Sequence, residues 1–523
     1  MLTSRLTTHA CRNVRLASTS ADKKTTAKPP KRKLPPVPPK EWKNFDRVSS
    51  HIKKKMEASG IPVSTKERPF KRKDVVAKPH APVLRTVVAE KTSTAVPSEL
   101  GPDIAKAPAV TAQPKVPAST SAEGKRILLA LPAESLKGLM PTDSLLSKQS
   151  FRVNQLHDAI YKNGITSFEE ITTLSKSDRA LLSQQFEIGR PESISETHSS
   201  DGTRKCLLGF AQSVSSSSTG KLAAAAKVEC VYIPDTPDAG GDGEDHGKAT
   251  LCVSSQVGCS LACTFCHTGT QKLLRNLEPW EMVAQVMHGM NIAGDFHSTI
   301  ASRTLTNIVL MGQGEPLHNF KNLSPFIQTL TTSLNFHPSK ITLSTSGIAP
   351  LIPRVATDLG GISLAISLHA TNDTLRSRIM PINKQYPLHV LMQSIREYIH
   401  LHAQNTALGK RHKRVTFEYV MLKGVNDSIA EAEALVTLVR NGLKIGDAKE
   451  LRSLVHVNLI PFHKWEGSEY ECSDGRAIEA FRKRVIEGGV NCHLRESRGL
   501  DVLGACGQLR SMDMFKSKRM VAQ

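Results

Sequence analysis

The chain has 523 residues, enough for more than one domain, and a formal net charge of +21. No stretch reaches the roughly eighteen uninterrupted apolar residues of a membrane span, and ten cysteines at this length exclude a disulfide scaffold. The basicity is local: residues 1–100 hold 23 Lys and Arg against 8 Asp and Glu, which is +15 of the total.

The opening, MLTSRLTTHACRNVRLASTS, contains Arg5, Arg12 and Arg15, many Ser and Thr, and no acidic residue before Asp22. It lacks the apolar core of a secretory signal and has the composition of an organellar transit peptide, with the mitochondrion as expected destination. A disordered basic terminus of a cytoplasmic protein has the same composition. Residues 1–125 are expected to form a disordered basic extension. Segments such as KPPKRKLPPVPPK (28–40) bury too little apolar surface to offset chain entropy, and only a short helix near Trp42–Met56 is expected. Such an arm can hold a polyanion by counterion release, or can simply be solvated.

Residues 126–235 read as a small helical accessory domain followed by extended strands. In FRVNQLHDAIYKNGITSFEEITTL, the residues Val153, Leu156, Ile160 and Ile165 fall near helical spacing and Gly164 marks a turn. After a polar strand-like stretch, SVSSSSTGKLAAAA (213–226) reads as a loop and KVECVYIP (227–234) as a strand. From residue 249 the rhythm changes. Short β-branched runs, ATLCVS (249–254), TNIVLM (306–311), KITLST (340–345), ISLAIS (362–367), RVTFEYVML (414–422) and LVHVNLI (454–460), alternate with amphipathic segments such as EPWEMVAQVMHGM. This alternation predicts an α/β domain over 236–510 with a parallel sheet, barrel-like or doubly wound, and a tail at 511–523. Polar punctuations follow several runs: GQGEP (312–316), STSG (344–347) and SLHA (367–370). In a barrel these would converge at the C-terminal strand ends.

Four of the ten cysteines fall within CVSSQVGCSLACTFCHTG (252–269). Cys259, Cys263 and Cys266 form a C-x3-C-x2-C run, and Cys252 lies seven residues upstream. Thiolates ligate iron–sulfur clusters and structural zinc. Zinc requires a fourth ligand, and neither Cys252 nor His267 stands at a standard finger spacing. Three cysteines instead leave one iron of a [4Fe–4S] cluster open to a small molecule. Taken alone, Cys252 reads as strand core, Glu229 as a solvated strand residue, and Cys11, Cys206, Cys230, Cys472 and Cys492 as free or buried thiols. The side chain of Cys230 should face away from that of Glu229.

The C-x3-C-x2-C run after a first barrel strand is similar to that of radical S-adenosylmethionine (SAM) enzymes. Together with VLMGQGEPLHN (309–319), ITLSTSGIAP (341–350), LAISLHATND (364–373), FEYVMLKGVND (417–427), VNLIPF (457–462) and RGLDVLGACGQL (498–509), it resembles the RlmN/Cfr family collinearly over about 130–510. These are methyltransferases of adenine in large-subunit ribosomal RNA and transfer RNA. The resemblance implies a partial (β/α)6 TIM-like radical SAM barrel with a small N-terminal helical domain. It places Cys259, Cys263 and Cys266 on a [4Fe–4S] cluster, and Gly314, Glu315, Ser344, Ser367, Leu368, His369 and Asn458 around SAM. Cys506 would carry a methyl group, Cys252 would be its disulfide partner, and Glu229 the general base.

The cycle so implied consumes two SAM molecules and methylates carbon 2 of adenine; the alternative is a radical SAM enzyme that modifies another RNA carbon, adenine carbon 8, or another substrate. The implied partners are RNA and a flavodoxin- or ferredoxin-type electron donor, with the chain acting as a monomer away from membranes. Arg275, Lys384 and Arg414 are candidate RNA contacts, although a solvated surface is the plainer reading of each. TPDAGGDGEDHG (236–247) is longer than the family pattern and could shift Glu229. The rival from another class is a zinc-stabilised RNA-binding protein without chemistry.

Overall fold

In a computed structural model, ten strands join in one sheet whose spatial order follows the chain. They are β1 (Ser193–His198), β2 (Arg204–Phe210), β3 (Ala226–Pro234), β4 (Ala249–Cys252), β5 (Leu305–Leu310), β6 (Ile341–Thr345), β7 (Ser363–Ser367), β8 (Val415–Met421), β9 (Val455–Pro461) and β10 (Asn491–Leu494). The structure describes residues 119–511 apart from 143–144, 212, 215–221, 224, 236–246 and 405–413. The expected transit peptide, the helix near Trp42–Met56, most of the Gly/Asp-rich loop and the tail beyond Ser511 therefore lie outside the described residues.

Strands β4 to β10 pair in parallel, while β1 to β4 pair antiparallel. Six strands, β4 to β9, are each followed by at least one crossover helix. The main ones are α3 (Pro279–Ala293), α4 (Phe320–Gln328), α5 (Ile352–Asp358), α6 (Leu388–Gln404), α7 (Ile429–Leu443) and α8 (Gly475–Glu487). This is the expected (β/α)6 partial barrel, extended by β10. Strand β3 pairs antiparallel with β4, from Val231 opposite Cys252 to Pro234 opposite Ala249.

Local chemistry sets these bounds. Helix α3 opens on Glu278 and Glu281, which make a reciprocal capping box around Pro279 at the first turn, and closes on Gly294 at φ +68°. Apolar register pairs run through the barrel wall: Leu251 faces Ile308, Ile308 faces Ile341, and Leu364 faces Val415. All five are at most 1% exposed, so the wall is a dry core covered by helices. Ahead of the sheet, α1 (Ser150–Tyr161) and α2 (Lys176–Gln185) bury Val153, Leu156, Ile160 and Leu182. Gly164, just past α1, takes φ +63° and supplies the expected turn. Among the described residues no helix is long and apolar enough to cross a membrane.

Candidate active site

The polar punctuations do converge. Beyond β5, the chain turns through GQGEP so tightly that a Cβ on Gly314, which has φ +99°, would stand 2.5 Å from the Gln256 side chain. The backbone N–H of Glu315 donates to Gln256 Oε1 at 2.8 Å. The Glu315 carboxylate is thereby fixed under β6: Oε1 accepts from Thr345 Oγ1 at 2.7 Å and Leu317 N–H at 3.0 Å, and Oε2 from Ser346 N–H at 2.8 Å. Burial still pushes this carboxyl above its ordinary range. A buried carboxylate that has donors but, among the described residues, no cation on it is suited to receive an ammonium group.

His369 caps β7 in a left-handed conformation, φ +59°, which a non-glycine residue holds only when its surroundings enforce it. Its Nδ1 accepts from Val420 N–H at 3.0 Å, and burial lowers its pKa to about 3. The ring is therefore neutral and carries its proton on Nε2. Behind it lies Arg376, fully buried, which the sequence reading missed. It donates to the carbonyls of Leu368 (3.1 Å), Ser346 (2.8 Å) and Ser367 (3.0 Å) and to Asn383 Oδ1 (2.9 Å), tying the ends of β6 and β7 together. Replacing Arg376 with leucine is expected to destabilise the fold by about 3–5 kcal/mol, measured by denaturant unfolding, because several buried acceptors lose one shared donor. Only the pattern LRSRI marks this arginine in the sequence, and nothing there distinguishes it from a surface helix residue.

The cysteine loop after β4 is anchored to a segment 240 residues later. His267 N–H donates to Gly507 O at 2.7 Å, Thr268 Oγ1 to Leu509 O at 2.7 Å, and Gln271 Nε2 to Ser511 O at 3.5 Å. Trp465 stacks on His267 with ring centres 4.7 Å apart and donates to Phe265 O at 3.0 Å. Cys506 is thereby held over the loop. One cavity is lined by Cys259, Cys263, Cys266, Gly314, Glu315, Ser344, Ser367, His369 and Cys506. A second cleft is lined by Cys252 and again by Cys506. Both clefts also share Met311 and Arg495, neither singled out in the sequence. Arg495 reaches within 3.7 Å of Glu418 Oε2, and its pKa is raised, chiefly by the neighbouring Cys506 thiol.

Two of the expected pocket residues stand behind this surface. Leu368 is fully buried, and Asn458 donates to Glu418 Oε1 at 2.9 Å, so that Glu418 faces the cavity in its place. Glu229 lies apart, in a cleft with Lys205, His267 and Arg510. Burial raises its pKa, while Lys205 Nζ at 3.4 Å works in the opposite direction. Glu229 pairs with Leu207 in the register whereas Cys230 pairs with Cys206, so the two adjacent side chains do face opposite ways. Arg275 is corrected as an RNA contact: both its terminal nitrogens donate to the buried Glu281 at 2.7 Å, which leaves its side chain 13% exposed. Lys384 and Arg414 are exposed.

The residues present fit the expected groups. Cys252, Cys259, Cys263, Cys266 and Cys506 are all free thiols. Burial pushes the Cys259 thiol up to about 12 and raises Cys263 and Cys266 as well, so uncompensated thiolates would be costly there. Among the described residues, the one set of three donor atoms of His, Cys, Asp or Glu drawn within 4.8 Å of one another lies elsewhere. Three thiols and the buried Glu315 carboxylate line the same cavity, a donor set that fits an iron–sulfur cluster and a cationic small molecule side by side.

No family model matches the chain. Curated proteins do. The chain is 44% identical over 375 residues to the dual-specificity RNA methyltransferase RlmN of Rhodopseudomonas palustris (strain BisA53), covering 70% of this chain and 84% of that protein. To the protein of the same name from Sinorhizobium fredii it is 41% identical over 430 residues, covering 80% and 93%. Among solved structures, the fold matches a radical SAM methyltransferase from Sphaerobacter thermophilus at TM-score 0.60 and 34% identity, covering 73% of this chain and 99% of that one. Identity at this level, spread over most of each relative, is not produced by a shared fold alone: the chain belongs to the RlmN family of dual-specificity RNA methyltransferases and has the radical SAM methyltransferase fold.

Proposed function

We propose that the protein methylates carbon 2 of adenine in large-subunit ribosomal RNA, transfer RNA or both, through a methyl group carried on Cys506, with two SAM molecules used per methylated base. The observation that carries this reading is the position of Cys506, which borders both the cavity of the cysteine trio and the cleft of Cys252. Carbon 2 of adenine is electron-poor and cannot displace a sulfonium methyl directly, so the reaction needs radical chemistry. Cys259, Cys263 and Cys266 would hold the [4Fe–4S] cluster, and Gly314, Glu315, Ser344, Ser367 and His369 would surround SAM, with Leu368 and Asn458 supporting them from behind. When bound, these groups supply a carbon radical strong enough to take hydrogen from a methyl group.

The chain's own residues do the rest. Cys506, exposed at the cavity, accepts the methyl on sulfur and presents it to the base. Glu229 takes the ring proton once the carbon has joined the adenine, and the one unpaired electron that the addition leaves would pass to the cluster. Cys252 then attacks the Cys506 sulfur: a sulfur–sulfur bond forms, the sulfur–carbon bond breaks, and the electron pair stays with the carbon, which takes a proton and leaves as the new methyl. Burial holds the Cys252 thiol up at about 12, and Arg495 lowers the cost of ionising it. Electrons come from a flavodoxin- or ferredoxin-type protein, and the chain works as a monomer in the mitochondrion.

A general base must be ionised. Because burial raises the Glu229 pKa, the rate should fall with decreasing pH sooner than it would for a solvated glutamate. Lys205→Met removes the cation that opposes this rise, so the acid limb of the pH–rate profile should move to higher pH; an unmoved limb would exclude Glu229 as the base. The reading as a whole is tested by anaerobic reaction of methyl-labelled SAM with RNA fragments, followed by mass spectrometry of nucleosides. Label on carbon 2 of adenine is expected. Label on carbon 8, or none in adenine carbon, would reject it.

A further inference from the structure

On the face of the antiparallel extension opposite Glu229, a second set of chemically active side chains is assembled. Glu196 of β1 faces Cys206 of β2, and Cys206 faces Cys230 of β3, so the three form one row across the sheet. Helix α3 packs against β3 and brings His288 down onto this row. One donor atom each from Glu196, Cys206 and His288 lies within 4.8 Å of the others. Cys230 is the direct cross-strand partner of Cys206, which sets a second thiol beside these three donors. Cys206 and Cys230 are fully buried.

The geometry around His288 is that of an unfilled ligand. Its side chain is 9% exposed, and Nε2 stands 3.2 Å from Glu196 Oε1. Nε2 nevertheless has no aligned hydrogen-bond partner. The other carboxylate oxygen of Glu196 is already occupied, at 3.4 Å from His198 Nε2 and 3.7 Å from Arg204 Nη1. Those contacts orient the carboxylate in the way that outer partners orient metal ligands. A carboxylate, an imidazole and two thiols gathered between a sheet and its covering helix cost desolvation energy that Val or Leu would not. A cation offsets that cost.

We propose that Glu196, Cys206, Cys230 and His288 form a second metal centre that holds one zinc-class divalent ion, separate from the cysteine trio. Two thiolates, an imidazole and a carboxylate make a closed tetrahedral donor set, the type that serves structure rather than catalysis. The ion would see a net ligand charge of −3, and Arg204 beside Glu196 offsets the excess. A cavity lined by Ile194, Met287, His288 and Asn291 lies next to the centre and offers a way in. The ion would tie the edge strand β1 to β2, β3 and helix α3. Its ligands Cys206 and Cys230 directly follow Lys205 and Glu229, so the same tie would fix the spacing of that pair on the opposite face.

The test uses the full chain, purified anaerobically under reducing conditions, exposed to zinc chloride, desalted, and analysed for zinc and iron by mass spectrometry. One zinc per chain is expected beyond the cluster iron. His288→Ala and the double variant Cys206→Ser/Cys230→Ser should lose that zinc and keep their iron. The triple variant Cys259→Ala/Cys263→Ala/Cys266→Ala should lose iron and keep zinc. A wild-type chain that retains no zinc, a zinc that disappears with the trio, or a Cys206–Cys230 disulfide in the freshly isolated chain would overturn the proposal. Should the variants fail to fold, zinc-edge X-ray absorption of the wild-type chain decides: two sulfur and two nitrogen or oxygen neighbours support the centre, and four sulfurs or none overturn it. None of these readouts depends on methyl transfer, so they succeed or fail independently of the proposed reaction.

Discussion

Cys506→Ala protein, assayed with RNA and SAM under reducing anaerobic conditions, is expected to lose methyl transfer by at least about a thousandfold, the scale on which loss of a covalent nucleophile reads. Its iron content and brown colour should stay at the wild-type level, because Cys506 is not one of the trio. The two readouts together matter. Cys506 lies on a segment that is hydrogen-bonded to the cysteine loop through its backbone carbonyls, at Gly507, Leu509 and Ser511. Trimming one side chain leaves those bonds in place, so a loss of activity with the cluster intact isolates the sulfur itself. Turnover near the wild-type rate would mean that the methyl group never rests on this residue.

The second large effect should come from Cys252→Ala, and it is of a different kind. If Cys252 supplies the sulfur that frees the product, its loss should stall the reaction after the carbon–carbon bond has formed. Denaturing gels should then show a large fraction of the protein covalently attached to RNA, an attachment absent from Cys506→Ala and scarce in the wild type. Burial makes the outcome specific. Cys252 is 6% exposed and borders the same cleft as Cys506, so an external thiol cannot easily replace it. An unattached, fully active Cys252→Ala protein would remove it from the reaction.

The barrel strands were legible because both of their faces are buried, and such strands read as β-branched runs. KITLST and ISLAIS became Ile341–Thr345 and Ser363–Ser367 with a shift of one residue at the start. Strand β10 was not legible: NCHL is short, with two exposed residues, and pairs only along one edge. The site was legible where chemistry demands rare residues at fixed spacing, as in the cysteine trio and GQGEP. It was opaque where geometry recruits common ones. Arg376, Arg495 and Gln256 acquire their positions from contacts 8 to 243 residues away, and local pattern carries no trace of these. Asn458 illustrates the same limit, since its side chain supports Glu418 instead of reaching the cavity.

The joining of the cysteine loop to the segment around Cys506 also sets an order in time. The ribosome completes Cys252 and the trio some 240 residues before Cys506, an interval of roughly 12–50 s at about 5–20 residues per second. During that interval a nascent chain already has the three cysteines of the loop but lacks the segment that anchors them. The cysteine loop therefore reaches its final form only when the stretch around Gly507, Leu509 and Ser511 docks on it.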